Sequence, residues 1–556
     1  MFRPAPNLCA ACLTLLIGCL AGCGDDGGTG GDGAVDLGRS DDGGTPGSLD
    51  MPPPPPCTPS GPLTLRNVIP MPASVVENGG AFCLSQAAEI RVDTGSAELL
   101  SVGQALAARL RPSTGYALPV NAADGAPAAG SIQLTSAGAD ATLGDEGYQL
   151  TITPGLVRIA AYRPAGLFRA VQTLRQLLPA AIEQPTVHDG PWPIATGAIS
   201  DAPRFAWRGA MLDVARHFFS VADVERYIDL LAYYKINRFH LHLSDDQGWR
   251  IAIQSWPALT TVGGSTEVGG AKGAFYYSSA DYQNIVAYAA ARYITVIPEI
   301  DGPGHTNAAL ASYAQLNCNN VAPALYTGTS VGFSSLCIGN ANTKMFVSQV
   351  LGELAQMTPS PYLHIGGDEA SSTSAADYAQ YMNDAQATVK QLNKIAIGWG
   401  DIANATLAAG TIAQHWNPFS GTTAQQAVQQ HAKVILSPAN RTYLDMKYDS
   451  STPLGQEWAG DVNEQQAYQW EPATLIPGVG EGDILGIESA LWTETIITRG
   501  DIDYMTFPRL AGHAEIGWSP AAGRNWDEYK LRIASHGPRL TALGVNFYKS
   551  ARIPWP

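Results

Sequence analysis

Eight short apolar segments between residues 208 and 492 constrain the fold of this chain more than any other feature. They cover residues 208–214, 236–243, 294–300, 362–366, 395–399, 411–416, 433–437 and 485–492. Helical stretches such as 221–235 and 279–293 separate most of them. Strands that alternate with helices form parallel sheets, and eight such strands close into a (β/α)8 barrel. We therefore expect an α/β fold with a TIM barrel over residues 201–556.

A smaller domain of mixed α and β structure is expected before the barrel, at residues 61–200. Residues 147–162 alternate apolar and polar side chains around Pro154 and Gly155, which predicts a β-hairpin. Residues 166–178 have the pattern of an amphipathic helix. Nothing in this domain indicates chemistry, so we expect the functional site in the barrel.

The first 60 residues are not expected to join the folded body. Residues 1–22 carry one charge, Arg3, and an apolar run too short to span a membrane, which predicts an export signal. The run ends at Cys23 in a sequence that resembles a bacterial lipobox, with Cys19 as a weaker alternative. Residues 23–60, rich in Gly, Asp and Pro, predict a flexible tether. We expect export and a lipid anchor at Cys23 in the cell envelope, at the outer membrane or cell surface; the alternative is a plain secretory signal.

Four of the eight cysteines remain once the signal and the anchor are set aside: Cys57, Cys83, Cys318 and Cys337. Four cysteines in an exported chain predict two disulfides. Three pairings are possible, and pairing nearest neighbours gives Cys57–Cys83 and Cys318–Cys337. No two cysteines in this set have the C-x-x-C spacing of a zinc site.

Polar and aromatic residues follow the apolar segments, one set after each. The catalytic residues of TIM barrels lie at the C-terminal ends of the strands, so these sets are expected to form a ring around one pocket. The sets are Arg216 and His217; Asp245 and Asp246; Glu299, Asp301 and His305; Asp368 and Glu369; Trp399 and Asp401; Trp416; Tyr443 and Asp445; Trp492 and Glu494.

The ring combines carboxylates and indoles with few basic groups, which suits a neutral sugar. Indoles pack against the apolar faces of sugar rings, while carboxylates and an arginine bind the hydroxyls. The net charge of −16 argues against nucleic acid, which requires a basic surface. A phosphate substrate would require more basic residues or a glycine-rich loop, and the sequence has no Walker motif.

Five motifs resemble those of the family 20 glycoside hydrolases, the β-N-acetylhexosaminidases and chitobiases, in order and spacing. They are RGAMLDVARHFFS, HLHLSDDQGWRI, IPEIDGPGH, LHIGGDEA and ALWTE. The resemblance covers residues 61–545, including the domain before the barrel. It implies a retaining exo-β-N-acetylhexosaminidase that needs no cofactor and releases terminal N-acetylglucosamine or N-acetylgalactosamine. Exported bacterial members also resemble this chain in carrying a disulfide where Cys318 and Cys337 fall.

The same resemblance implies a role for most residues of the ring. Glu369 would be the general acid, while Asp368 and Tyr443 would hold the substrate's 2-acetamido group, whose carbonyl oxygen attacks the anomeric carbon. The remaining residues would bind or support: Arg216, Glu494 and Asp445 at the sugar hydroxyls; Trp399, Trp416 and Trp492 as walls of the acetamido pocket; Asp245 and His305 as a pair that sets the protonation of Glu369.

The adjacency of Asp368 and Glu369 agrees with these roles. On a strand they would point to opposite sides, which fits one acid and one orienting group. A nucleophile–acid pair about 5 Å apart across the sugar usually requires two separate strands.

Two other functions fit parts of the pattern. A surface carbohydrate-binding lipoprotein would keep the indoles and lose the acid, and the presence of both carboxylates counts against it. A metal-dependent amidohydrolase would use His240 and His242, which the H-x-H spacing places on one face of a strand, together with His415. Such sites also use an Asp at the last strand, which here ends in Trp and Glu, so we predict no metal.

Overall fold

A seven-stranded mixed sheet forms the first part of the described residues, which are 61–125 and 127–556 of this computed structural model. Its strands are β1 (Ser74–Leu84), β2 (Ile90–Val92), β3 (Val120–Ala122), β4 (Ser131–Thr135), β5 (Tyr148–Thr153), β6 (Leu156–Ala160) and β7 (Trp192–Asp201). They lie in the order β1-β7-β5-β6-β4-β2-β3. The predicted hairpin is confirmed, because β5 and β6 pair antiparallel across Pro154 and Gly155. Two helices accompany the sheet, α1 (Ala97–Thr114) and α2 (Pro164–Leu177). The second confirms the predicted helix, but its polar face is also buried, since every residue from 166 to 177 is buried.

The predicted TIM barrel is confirmed. Eight parallel strands close on themselves in sequence order from β8 to β15. Every predicted segment contains or overlaps one of them: β8 (Trp207–Asp213), β9 (Arg238–His242), β10 (Thr295–Glu299), β11 (Tyr362–His364), β12 (Ile395–Trp399), β13 (Ile412–His415), β14 (Lys433–Leu436) and β15 (Ile484–Leu491).

Helices surround the barrel and complete its connections. They are α3 (Val221–Tyr233), α4 (Ala258–Thr261), α5 (Ser279–Ala290), α6 (Asn307–Ser312), α7 (Ala341–Met357), α8 (Ala375–Gln391), α9 (Thr422–Gln429), α10 (Ala439–Thr442), α11 (Glu464–Tyr468), α12 (Pro472–Leu475), α13 (Arg499–Thr506), α14 (Arg509–Trp518), α15 (Trp526–Ser535) and α16 (Gly537–Ala542). The start of α3 is fixed by a capping box between Ser220 and Asp223, and that of α5 by one between Ser278 and Asp281. Among the described residues, no helix has the length and apolar character that crossing a membrane requires.

The inside of the barrel changes character along its axis. Near the N-terminal ends of the strands an apolar layer contains Trp207, Ile297, Ile397, Ile412 and Ile435. The next inward-facing residues on β9, β11, β13 and β15 are polar, namely His240, His364, Gln414 and Glu488. Barrel interiors are usually filled with layers of branched apolar side chains, so this polar layer is an exception. It lies below the strand ends that carry the predicted site.

Candidate active site

A cavity of about 380 Å³ lies at the C-terminal ends of the barrel strands. Its lining consists of Arg216, Thr329, Val331, Asp368, Glu369, Trp416, Tyr443, Asp445, Gln456, Trp458, Trp492 and Glu494. The structure thus brings together all the predicted catalytic and sugar-binding residues except three. Asp245, His305 and Trp399 lie beneath the lining, each at most 2% exposed.

A tight turn after β11 carries the two adjacent carboxylates. The strand ends at His364, and Gly366, Gly367 and Glu369 then have φ angles of 65°, 110° and 47°. Residue 366 must be glycine, because a Cβ atom there would lie 1.7 Å from Asp301 Oδ1. The same Asp301 oxygen accepts a hydrogen bond from the Gly367 N–H at 3.0 Å and so fixes the turn.

The prediction that Asp368 and Glu369 point to opposite sides of a strand is wrong. They follow the strand in this turn, where the left-handed backbone turns both side chains toward one imidazole. His305 Nε2 lies 3.7 Å from Asp368 Oδ2 and 3.5 Å from Glu369 Oε2. The two carboxylates differ in exposure instead: the Asp368 side chain is 11% exposed and the Glu369 side chain 36%. Glu369 faces the open cavity and Asp368 lies deeper.

His305 links the two carboxylates to a buried ion pair. Its Nδ1 lies 3.2 Å from Asp245 Oδ1, and Arg216 Nη2 lies 2.8 Å from Asp245 Oδ2. Burial alone would lower the pKa of His305, but the Asp245 carboxylate raises it well above its usual value. His305 is therefore charged, and its second nitrogen faces the two carboxylates at ion-pair distance without a hydrogen bond to any described residue.

Asp368 has an unusual protonation equilibrium. Burial raises its pKa to about 7, against the charge of His305, and the nearby Glu369 adds to the rise. Its buried Oδ1 accepts no hydrogen bond from any described residue. An unpartnered buried acceptor is unfavourable until a ligand supplies a donor, so Asp368 can accept an N–H or O–H of a bound molecule.

The opposite side of the cavity holds Arg216, Asp445 and Glu494. The Arg216 guanidinium packs over the Trp492 ring at 4.8 Å and donates from Nε to Gln247 Oε1 at 3.2 Å. Burial raises the pKa of Asp445 and of Glu494. Within the described residues, one oxygen of each carboxylate is buried without a partner. A cation beside two unsatisfied acceptors is suited to several hydroxyls of one sugar ring.

Aromatic side chains form much of the remaining wall. Trp492 lies 5.6 Å from Trp399 and 6.2 Å from Tyr443, measured between ring centroids. Trp416 donates its indole N–H to Asp401 Oδ2 at 2.9 Å. Trp399, predicted as a wall of the pocket, is instead fully buried behind Trp492, and its N–H donates to Glu299 Oε1 at 2.8 Å.

Tyr443 presents its hydroxyl to the same cavity. It is 3% exposed, and its segment is tied to β15 by the Leu444 N–H, which donates to the Ala490 carbonyl at 2.7 Å. Burial raises the pKa of Tyr443 well above its usual value, and the Asp368 and Asp445 carboxylates raise it further. The hydroxyl therefore keeps its proton and can donate it in a hydrogen bond.

Four lining residues were not predicted from the sequence: Thr329, Val331, Gln456 and Trp458. The predicted Cys318–Cys337 disulfide is present, which confirms that pairing. It closes the loop that contains Thr329 and Val331. Trp458 is 46% exposed and stands 6.0 Å from Trp416 and 5.9 Å from Tyr443, between ring centroids. The signal that the sequence offered for Trp458 was an aromatic residue in the stretch between two predicted barrel strands. Cys23 and Cys57 lie outside the described residues, so the lipid anchor and the Cys57–Cys83 pair stay predictions.

The H-x-H pair considered as a metal site has another environment. His240 contacts Glu488 Oε1 at 2.8 Å through Nδ1 and Glu299 Oε2 at 2.9 Å through Nε2. His242 contacts Glu299 Oε2 at 2.5 Å and Asp245 Oδ2 at 3.0 Å. All four ring nitrogens thus serve as hydrogen-bonding groups toward carboxylates.

Known proteins that are similar to this chain share one family. The catalytic-domain model of glycosyl hydrolase family 20 matches residues 205–378 and 372–521, and the model of domain 2 of that family matches residues 65–202. This chain belongs to glycosyl hydrolase family 20. It is 41% identical over 496 residues to a β-N-acetylhexosaminidase from Cellulomonas fimi, which covers 88% of this chain and 97% of that protein.

Solved structures of family 20 enzymes agree with this assignment. The β-N-acetylhexosaminidase from Streptomyces coelicolor A3(2) superposes with a TM-score of 0.87 at 51% identity, covering 89% of this chain and 100% of that one. A mutant Streptomyces plicatus β-hexosaminidase in complex with its product GlcNAc gives a TM-score of 0.87 at 52% identity, covering 90% and 100%. The chain is a β-N-acetylhexosaminidase, which confirms the predicted family and enzyme class.

Proposed function

We propose that this enzyme removes terminal non-reducing N-acetylglucosamine or N-acetylgalactosamine from β-linked saccharides by substrate-assisted catalysis. The observation that carries the proposal is the buried, unpartnered Oδ1 of Asp368 beside Glu369. That oxygen is suited to accept the N–H of a 2-acetamido group. Family 20 enzymes are known exceptions to the rule that two enzyme carboxylates serve as nucleophile and acid.

The bond changes follow from these positions. Asp368 accepts a hydrogen bond from the acetamido N–H, and the Tyr443 hydroxyl donates a hydrogen bond to the acetamido carbonyl oxygen while keeping its proton. That oxygen attacks C1 while the bond from C1 to the leaving oxygen breaks, and Glu369 gives its proton to the leaving oxygen. Water then attacks C1 of the oxazolinium intermediate and loses a proton to Glu369, while the bond between C1 and the acetamido oxygen breaks and restores the acetamido group. Two displacements at C1 leave the β configuration unchanged.

Substrate binding is proposed for the deeper side of the cavity. Arg216, Asp445 and Glu494 receive the ring hydroxyls, because their unsatisfied polar groups converge there. Trp416 and Trp492 enclose the acetamido group, with Trp399 supporting Trp492 from behind. Arg216, Asp445 and Trp492 are at most 8% exposed, so the sugar bound among them is a chain end. The rest of the saccharide lies toward Val331 and Trp458 at the opening.

The test combines a substrate panel with one variant. We expect turnover of aryl β-N-acetylglucosaminides or galactosaminides, no turnover of the aryl glucoside that lacks the acetamido group, inhibition by a thiazoline mimic of the intermediate, and a β-anomer as first product by NMR. Glu369→Gln should lower kcat/KM by about 10²-fold or more, because the leaving oxygen loses its proton donor.

Glu457→Gln is the matched control, since that side chain is 64% exposed, contacts Lys447 and does not line the cavity. It should keep wild-type activity. Equal turnover of the plain glucoside would exclude the substrate-assisted route. Binding of chitooligosaccharides without any release of sugar would instead support a carbohydrate-binding protein.

A further inference from the structure

The interior of the barrel contains a continuous line of hydrogen-bonded acidic and imidazole side chains. We call it the buried acid–imidazole row, and its members, in spatial order, are Glu488, His240, Glu299, His242, Asp245 and His305. Every member is at most 2% exposed. The row begins at the polar layer inside the barrel and ends at the carboxylates beside the cavity.

Each link of the row has hydrogen-bond geometry. Glu488 Oε1 lies 2.8 Å from His240 Nδ1, and Glu299 Oε2 lies 2.9 Å from His240 Nε2. The same Glu299 oxygen lies 2.5 Å from His242 Nδ1, and His242 Nε2 lies 3.0 Å from Asp245 Oδ2. Asp245 Oδ1 then contacts His305 Nδ1 at 3.2 Å. Glu299, Asp245 and His305 were already part of the predicted ring, and Glu488, His240 and His242 extend it inward.

The pattern of contacts fixes the charges along the row. His240 and His242 each have a carboxylate at both ring nitrogens, and only the imidazolium form donates from both. Burial would lower the pKa of His240, but Glu299 and Glu488 raise it to about 9. Burial would raise the pKa of Glu299, but the surrounding imidazoles bring it well below its usual value. Positive and negative charges therefore alternate from His240 to His305.

The surroundings of the row are built to accommodate these charges. Glu488 also accepts from Gln414 Nε2 and from Trp207 Nε1, both at 2.9 Å. Residue 209 must be glycine, because a Cβ atom there would lie 2.2 Å from Glu488 Oε2. An apolar layer would fill the same space without removing charges from water, so packing alone does not account for the row.

We propose that Glu299 is a positioning residue for catalysis: through His242 and Asp245 it holds His305 as an imidazolium that faces the Asp368–Glu369 pair. Glu299 also accepts from the Trp399 indole, which supports Trp492 at the acetamido pocket. The inference rests on the proposed function of that carboxylate pair. It adds a residue that touches no substrate and acts only through its neighbours.

Other charged and titratable groups pack against the row and also influence the protonation of its members. They are Asp213 and Arg216 at the end of β8, Asp246 beside Asp245, Asp301 after β10 and His364 on β11. His364 Nδ1 lies 2.9 Å from Glu299 Oε1. Arg216 is the fixed cation of this set and already opposes the charge of Asp245. Among the described residues, Glu299 is the one anion that contacts both His240 and His242.

The test is the pH dependence of kcat/KM for Glu299→Gln in the full chain, measured with an aryl β-N-acetylglucosaminide. Removing a negative charge lowers the proton affinity of His242 and, through Asp245, of His305. If His305 must be charged, the basic limb of the profile should move to lower pH by about one unit. Glu488→Gln, which acts from the far end of the row, should shift it in the same direction by less.

Glu515→Gln is the matched control. Glu515 is also fully buried and accepts from Arg532, the Tyr468 hydroxyl and the Met71 N–H, but it does not line the cavity. It should lose stability and keep the wild-type pH profile. A folded Glu299→Gln enzyme whose profile matches those of the wild type and Glu515→Gln would overturn the proposal.

A second variant and a separate readout allow the proposal to be tested even if Glu299→Gln does not fold. If Glu299→Gln does not fold, an unshifted basic limb in Glu488→Gln overturns the proposal, and a shifted one supports it. The pH shift is measured relative to wild type on whichever aryl glycoside is turned over, whereas the proposed mechanism is judged by the requirement for the 2-acetamido group. Failure of one is therefore distinguishable from failure of the other.

Discussion

At the scale of single residues, burial separates the tasks of two adjacent carboxyl groups. Asp368 lies deep, with one oxygen near His305 and the other without a partner, while Glu369 reaches the open cavity. The backbone makes this possible, because a left-handed turn presents both groups to the same imidazole. Because burial raises the pKa of Asp368 to about 7, this carboxyl group also makes the stability of the folded protein depend on pH.

Asp368→Asn should stabilise the protein increasingly as the pH rises. The folded-state pKa of Asp368, about 7, lies above the ordinary value of 3.8, so the folded chain holds a proton that the unfolded chain has released between these values. Stability therefore falls as the pH rises through this interval, by at most about 4 kcal/mol. Asparagine does not ionise and removes that loss. Thermal unfolding at pH 4, 6 and 8 should show the largest gain over wild type at pH 8.

Asp140→Asn provides a comparison of opposite sign. The pKa of this exposed carboxyl is lowered by hydrogen bonds from the Thr142 side chain and N–H. Its loss should weaken the protein slightly at neutral pH and have no effect at low pH. An equal stability difference between Asp368→Asn and wild type at every pH would contradict the assignment of a raised pKa.

At the scale of elements, the features that could be predicted are those that a local sequence pattern determines, namely the strands and the residues directly after them. Short apolar runs and the polar residues after them located all eight strands and most of the cavity lining. The turn at Asp368 was misjudged because alternation along a strand was extended past its end at His364; the Gly366–Gly367 pair was the signal for a change of backbone. Val331 and Trp458 lie inside long loops without periodicity, where only contacts distant in sequence determine which side chains face the cavity.

One of those long loops is held by a single buried arginine. The segment between β14 and β15 carries Tyr443, Asp445 and Trp458 into the cavity. Arg509, at the start of α14, donates to the carbonyls of Leu444, Met446 and Val462 at 2.5–2.9 Å. A fourth hydrogen bond, 2.7 Å long, goes to the carbonyl of Met505. One guanidinium therefore ties the loop to the helix behind it.

Arg509→Met should lower kcat/KM by about 10²-fold, because small displacements of catalytic groups have effects of that size. KM should rise and kcat fall together, since Tyr443 and Asp445 would both move. Arg539→Met is the control: that guanidinium also donates to main-chain carbonyls, those of Arg175, Gln176 and Leu178, but outside the cavity lining. Similar losses of stability with unequal losses of kcat/KM would support the positioning role, and equal kinetics in the two variants would contradict it.

At the scale of the whole molecule, the small domain and the barrel share one core. A single cluster of buried apolar residues extends from Leu65 to Ile553 and includes side chains of both. Asp201, at the end of β7, joins them by polar contacts. It accepts from the Ala73 N–H and the Tyr148 hydroxyl on one side and from Lys235 and Trp518 on the other. The small domain thus supports the barrel, and none of its described residues lines the active-site cavity.

Asp201→Asn should weaken both domains together. It leaves the buried Lys235 ammonium, 3.1 Å from the lost carboxylate, without its counter-charge, which costs about 3–5 kcal/mol. Because the core is continuous, calorimetry should show one unfolding transition at a lower temperature, with kcat/KM unchanged below it. Asp384→Asn removes an exposed pair with Lys344, whose side chain is 55% exposed, and should cost at most about 1 kcal/mol. Two separate transitions in Asp201→Asn, with only the first shifted, would show instead that the barrel folds independently of the domain before it.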